Sequence, residues 1–175
     1  YDREILDREE NALYKIIRIK ENSFEGYLAA VYDPSKISLV RSKYTNNGEY
    51  LVDMAKRENA VLAINAGGFA DSGGEGNGGT PVGIVISNGK IINSVRSGSG
   101  LIGFTNDNKL FLGKITAQEA INKGIRDAVE FGPFLIVNGK SMEIHGNPNG
   151  NAPRTAIAQR KDGIVLFLII DGYEW

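Results

Sequence analysis

The chain has no cysteine, one histidine and one tryptophan among its 175 residues. The missing thiols exclude disulfides, thiolate nucleophiles and zinc sites built on Cys. They leave the compartment open, because a cysteine-free chain suits bacterial secretion as well as a cytosol. A single histidine, His145, rules out a multi-histidine metal centre within the chain. Any Ser-His-Asp engine would have to use it, yet Glu143-Ile144-His145-Gly146-Asn147 holds no nucleophile elbow. The plainer reading of His145 is a solvated loop residue.

An excess of either charge is also lacking. Lys and Arg number 20, Asp and Glu 21, and the net charge is -1, so no nucleic acid partner is expected. Long hydrophobic runs are missing too. The longest, Ile164 to Ile170, is strand length and far short of the roughly 20 residues a membrane helix needs. The start, Tyr1-Asp2-Arg3-Glu4, has no signal-peptide apolar segment and no Met, so a trimmed or processed N-terminus is expected.

What the chain has in plenty is glycine, 22 of 175 residues, with eight of them between Gly67 and Gly83. Such density means unusual backbone angles or close backbone approach to a ligand.

Residues from Asp2 to Asn11 read as a short helix or arm. Strands are expected at Leu13 to Lys20, Gly26 to Tyr32, Ile37 to Arg41 and Ala60 to Asn65, the last a buried one. Glu49 to Asn59 has an apolar helical side. Asn88-Gly89 between Val82–Ser87 and Lys90–Val95 is a strong hairpin signal. A second hairpin joins Leu101–Thr105 to Lys109–Leu112. Thr116-Ala117-Gln118-Glu119 is a capping box. Phe131 to Val137 reads as a strand before Asn138-Gly139, and Arg154–Gln159 with Ile164–Ile170 form a last pair. The pattern is α+β: a mixed, largely antiparallel sheet core with hairpins, flanked by two or three helices. The domain division is an arm or short helix over 1–12 and one domain over 13–175.

Two G-x-G-x-x-G matches, from Gly74 and from Gly98, lead into strands and not into the helix that a dinucleotide site requires. Gly139-Lys140-Ser141 lacks the upstream P-loop glycine, whose place is held by Phe134. Asp71 and Glu75 offer oxygen ligands without EF-hand spacing, so no cofactor is expected and a calcium site stays an open alternative.

The remaining polar residues cluster at strand ends. Asp171 emerges from the apolar Ile164–Ile170 run, where a carboxylate is either desolvated or paired. The Asp162-Gly163 turn brings Arg154 to the same end of that hairpin, and Arg suits a bidentate grip on phosphate or carboxylate. Asn65 can donate and accept, and glycine N–H groups can cradle an anion. A structural Arg154–Asp171 ion pair, an exposed Glu130 and a Gly132-Pro133 bulge are equally open on residue types alone.

Five pieces taken in order resemble the phosphodiester glycosidase family, that of N-acetylglucosamine-1-phosphodiester α-N-acetylglucosaminidase. They are Asn65-Ala66-Gly67-Gly68-Phe69, Gly83 to Gly89, Gly132 to Gly139, Arg154-Thr155-Ala156-Ile157-Ala158 and Asp171-Gly172. The resemblance implies hydrolysis of a sugar-1-phosphodiester, on a bacterial or phage-targeted surface glycopolymer, by a protein that is secreted, on the cell surface or on a phage particle. It implies catalytic roles for Asp171, Arg154 and Asn65, with Glu130 or His145 as a second proton-transfer group. Gly67, Gly68, Phe69, Thr80 and Thr155, together with His145, would contact the substrate. The family continues past this Asp-Gly into a helix and a Leu-Asp-Gly-Gly-Gly-Ser segment. The expectation is therefore a domain without that C-terminal segment, its open strand edge covered by a second copy or a complementing chain. The alternative is a non-catalytic glycan- or phosphate-binding domain, or a structural domain of a larger surface or phage-tail protein.

Overall fold

The computed structural model describes residues 1–172 except 23, 46, 75, 77 and 145–151. In chain order the elements are α1 (Asp2–Leu6), β1 (Tyr14–Lys20), β2 (Glu25–Val31), a single 3-10 turn (Pro34–Lys36), α2 (Leu51–Arg57), β3 (Gly68–Phe69) and β4 (Pro81–Val82). There follow β5 (Val85–Ser87), β6 (Lys90–Asn93), β7 (Leu101–Thr105), β8 (Leu110–Gly113), α3 (Ala117–Asn122) and β9 (Ile125–Glu130). The last are β10 (Ile136–Val137), β11 (Lys140–Ser141), β12 (Arg154–Gln159) and β13 (Val165–Asp171). The fold is α+β, and every strand pairing among the described residues is antiparallel.

The chain divides into two compact units, residues 1–37 with 145–175, and residues 38–144. The first unit is a sheet of order β1-β2-β13-β12. Ile17 and Ile19 of β1 turn inward while Arg18 and Lys20 face water, as a period of two requires. They meet Leu28 and Ala30 of β2, Ile164, and Ile5 from α1 in one apolar cluster. The Tyr32 hydroxyl donates to the Ile5 carbonyl at 2.8 Å, tying α1 to this core.

The second unit is built on a sheet of order β6-β5-β9-β7-β8. Ile84, Ile86, Leu101, Ile125 and Ala128 pack with Ala117 and Ala120 of α3. The capping box starts that helix: Glu119 N–H donates to Thr116 Oγ1 at 3.2 Å, and Thr116 N–H donates to the Glu119 carboxylate at 2.7 Å. Asn88 and Gly89 both take positive φ, 49° and 69°, the pair of angles a two-residue hairpin turn demands. Asn138 and Gly139 repeat this between β10 and β11.

Three expected strands differ. Ile37–Arg41 and Ala60–Asn65 are irregular, because neither finds a strand to pair with among the described residues. Val61 is exposed, so the second is not a buried run either. Of the strand expected at Phe131–Val137 only Ile136–Val137 is one, as β10, and the unexpected strand β9 ends at Glu130, before Gly132-Pro133, whose peptide bond is cis. No helix among the described residues is long and apolar enough to cross a membrane.

Candidate active site

The sequence-derived site residues fall in both units. In the second unit, Asn65 is exposed in irregular backbone just before β3. The short β3–β4 ribbon pairs Gly68 with Val82 and Phe69 with Pro81. It lies against the end of β9: a Cβ on Gly67 would come 3.3 Å from Val129 Cγ1, and one on Gly68 would come 3.4 Å from the Phe131 ring. The Ala70 N–H donates to the Thr80 carbonyl at 2.8 Å, prolonging the ribbon's pairing. Asp71 organises the loop beyond, its carboxylate accepting from Gly76 N–H at 2.9 Å. Gly74 takes a φ of 68° in the same turn, which explains a glycine there.

Glu130 is buried, only 2% exposed. Its carboxylate accepts from the backbone N–H groups of Ser97 at 2.7 Å, Gly98 at 2.8 Å and Ile84 at 3.2 Å. Burial alone would push its pKa up. The N–H groups of Ser97, Ile84, Gly98 and Gly100 outweigh burial and hold it below the usual carboxylate range. Gly83 makes room for this arrangement. It adopts a φ of 81°, and a Cβ there would stand 2.9 Å from Glu130 Cβ.

In the first unit, Arg154 pairs with Ile170 and Thr155 with Ile169, so Arg154 and Asp171 do end the same hairpin. Alternation along the strands puts them on opposite faces. Arg154 shares a face with Ile170 and Leu168, while Thr155 shares one with Ile169 and Asp171. The Arg154 guanidinium donates to the Pro153 carbonyl at 2.9 Å. On the Asp171 face, Glu25 stands directly across from Asp171, and Tyr27 directly across from Ile169. Arg18 at 2.6 Å and Lys20 at 3.0 Å hydrogen-bond Glu25 and hold it below the usual carboxylate range. Sequence inspection did not single out Arg18, Lys20, Glu25 or Tyr27, because the β2–β13 pairing that brings them beside Asp171 spans most of the chain.

His145 and Glu75 lie outside the described residues. Among the described residues, no group of three or more His, Cys, Asp or Glu could hold a metal ion.

Known proteins match this chain in sequence and in fold. The phosphodiester glycosidase family matches residues 58–174, and the chain belongs to that family. The prophage SPbeta-derived uncharacterized protein YomE of Bacillus subtilis is 30% identical over 154 residues, covering 81% of this chain and 23% of that protein. The catalytic domain of zebrafish N-acetylglucosamine-1-phosphodiester α-N-acetylglucosaminidase, auto-inhibited by its pro-peptide, shares the fold with a TM-score of 0.71 at 18% identity. That match covers 94% of this chain and 63% of the zebrafish chain. A hypothetical protein from Synechocystis matches with a TM-score of 0.68 at 13% identity, over 90% of this chain and 50% of its own. The chain thus spans less than two thirds of each of these relatives. Family membership supports a hydrolase-type function.

Proposed function

We propose that the protein hydrolyses a sugar-1-phosphodiester, releasing the sugar, and that it acts outside the cell on a bacterial surface glycopolymer. One observation carries the reading. A single family match over residues 58–174 includes Asn65, Gly67, Gly68, Arg154, Thr155 and Asp171 in order. The zebrafish relative's name specifies N-acetylglucosamine on a 1-phosphodiester, and the Bacillus relative is prophage-derived, which favours a bacterial surface polymer.

The reaction breaks the bond between the anomeric carbon and a phosphate oxygen. Water supplies the new oxygen on carbon, and the broken bond's electron pair stays on phosphate. The departing phosphomonoester has a second pKa of about 6, so at neutral pH it can leave without taking a proton. The site therefore needs positive charge at the phosphate more than a strong general acid. Arg154 supplies that charge. Asp171 takes a proton from the attacking water or faces the positive charge that develops on the sugar ring. A substrate lying across the end of the β12–β13 hairpin would meet Arg154 from one face and Asp171 from the other. Asn65 orients the sugar or phosphate. Gly67, Gly68, Phe69 and Thr80 in the one unit and Thr155 in the other are candidate substrate contacts, and His145 stays a candidate contact from sequence. For Glu130 we propose a positioning role: it fixes the 97–100 backbone as an anchor that is ionised at neutral pH.

The test is release of N-acetylglucosamine from its 1-(methyl phosphate) diester. Turnover supports the enzyme. Saturable binding of the diester without turnover favours the non-catalytic binding domain, the second reading of a chain that covers 63% of the zebrafish chain.

A further inference from the structure

Two glycines precede Thr80 on the β4 side of the β3–β4 ribbon, and each lies against backbone. A Cβ on Gly78 would collide with the Ala70 carbonyl oxygen and stand 2.6 Å from the Phe69 ring. A Cβ on Gly79 would stand 2.6 Å from the Asn47 carbonyl oxygen and 2.9 Å from the Asn47 nitrogen. The Gly78-Gly79-Thr80 segment therefore rests on Phe69-Ala70 at one residue and on Asn47 at the next. Any side chain would block both approaches.

A charged cluster holds Asn47 in place. The Glu49 side chain is only 3% exposed. Arg57, at the end of α2, grips both of its carboxylate oxygens, with Nε 3.2 Å from Oε1 and Nη2 3.1 Å from Oε2. Such a fork fixes orientation as well as charge. The same Nη2 donates to the Arg41 carbonyl at 3.0 Å, and Lys43 N–H donates to the Glu49 carboxylate at 3.0 Å. The Lys43 ammonium stands 3.9 Å from that carboxylate, and Arg57 also pairs with Glu58. Arg57 and the Lys43 N–H outweigh burial and hold Glu49 below the usual carboxylate range. Ser42 closes the loop, its hydroxyl donating to the Asn47 carbonyl at 3.2 Å and accepting from Tyr44 N–H at 3.1 Å. The Asn47 peptide that Ser42 holds is the one Gly79 rests on.

We propose that Glu49 is a positioning residue for the substrate site: through Arg57 and the loop from Arg41 to Asn47 it sets where Gly78-Gly79-Thr80 lies beside Phe69. Phe69 and Thr80 are the candidate contacts it serves, so the inference rests on the glycosidase reading. Glu49 and its loop precede residues 58–174, so this support lies outside the part of the chain that matches the family. A contact displaced by about 1 Å weakens a site even when the change is far from the reacting atoms.

Glu49→Gln keeps the size of the side chain and removes the charge that Arg57 grips. With the N-acetylglucosamine 1-(methyl phosphate) diester, Glu49→Gln and Arg57→Gln each raise KM about tenfold, with kcat changed less than about threefold. The double variant is no worse than either single one, because both break the same linkage. Thr116→Ala, which loosens the start of α3 in the same unit, keeps the parental KM, and this separates positioning from a general loss of stability. A parental KM in Glu49→Gln overturns the proposal. A second readout needs no turnover: hydrogen exchange of the Ala70 N–H, whose acceptor is the Thr80 carbonyl at 2.8 Å. Glu49→Gln speeds it about tenfold or more, while the amides of β7 and β9 keep their protection. Unchanged exchange at Ala70 overturns the proposal even where the diester is hydrolysed. A parent that does not turn over the diester sinks the hydrolase reading alone, and calorimetric titration with N-acetylglucosamine 1-phosphate then replaces KM. Binding about tenfold weaker in Glu49→Gln upholds the proposal. Parental affinity in that variant, or no binding by the parent, overturns it.

Discussion

Gly83 and Glu130 fit together as backbone and anchor: a Cβ on Gly83 would lie 2.9 Å from Glu130 Cβ and 3.1 Å from the Glu130 carbonyl. Gly83 also sits at a φ of 81°, a region that L side chains rarely adopt. Gly83→Ala is therefore expected to cost about 2–4 kcal/mol, combining backbone strain with displacement of a buried carboxylate. Urea unfolding measures it. A loss within about 0.5 kcal/mol would mean that the anchor tolerates the methyl group.

Glu130→Gln keeps the shape of the anchor and removes its charge. The amide presents an NH2 group toward backbone donors that already fill the site. The expected loss is about 3 kcal/mol. The pH dependence has a definite sign. The folded-state pKa of Glu130 is lowered, so the unfolded chain binds its proton more readily. Its stabilisation is complete above the ordinary Glu value near about 4.3, and is lost as pH falls through the lower folded value. Denaturation profiles in the acid range should show the parent losing part of its advantage over Glu130→Gln. A constant difference down to the acid limit would contradict the ionised-anchor account.

Gly26 of β2 leaves no room for a side chain in the first sheet. It pairs with Ile170, and a Cβ there would fall inside the Ile169 carbonyl oxygen's contact distance. Gly26→Ala must part β2 from β13 beside Asp171. The expected cost is about 3 kcal/mol or more, and amide exchange of β13 should accelerate. Unchanged exchange at Ile169 and Ile170 would show that the strands absorb the methyl group.

Thr116→Ala removes one arm of the capping box at α3 and leaves a helix N–H unpaired. A loss of about 1 kcal/mol is expected, with activity unaffected. Thermal unfolding is the measurement, and an unchanged midpoint would mean that the packing of Ala117 and Ala120 alone sets the start of α3.

The hairpins were legible in the sequence because Asn88-Gly89 and Asn138-Gly139 specify their turns locally. The capping box at Thr116 was legible for the same reason. Strand β9 was hidden: Ile125-Arg126-Asp127-Ala128-Val129-Glu130 carries three charged residues, and only the folded chain shows two of them, Asp127 and Glu130, buried. Asp127 accepts from Asn88 N–H at 2.9 Å and pairs with Arg126, so its burial is compensated from a distant hairpin. At the candidate site, the shared end of Arg154 and Asp171 followed from the Asp162-Gly163 turn. Their opposite faces depend on register, which the turn residues do not reveal. Glu25 and Tyr27 beside Asp171, and Phe131 above Gly68, come from pairings far apart in sequence that no local pattern encodes.

The central claim is that Arg154 carries the charge of the departing phosphate while Asp171 serves the sugar side. Steady-state hydrolysis of the N-acetylglucosamine 1-(methyl phosphate) diester by the parent, Arg154→Ala and Asp171→Asn is its most direct test. The account predicts that each variant keeps its fold and loses about 100- to 1,000-fold in kcat, the scale seen when one charge-stabilising group is removed from a site. An Arg154→Ala protein that releases the sugar at the parental rate would contradict it.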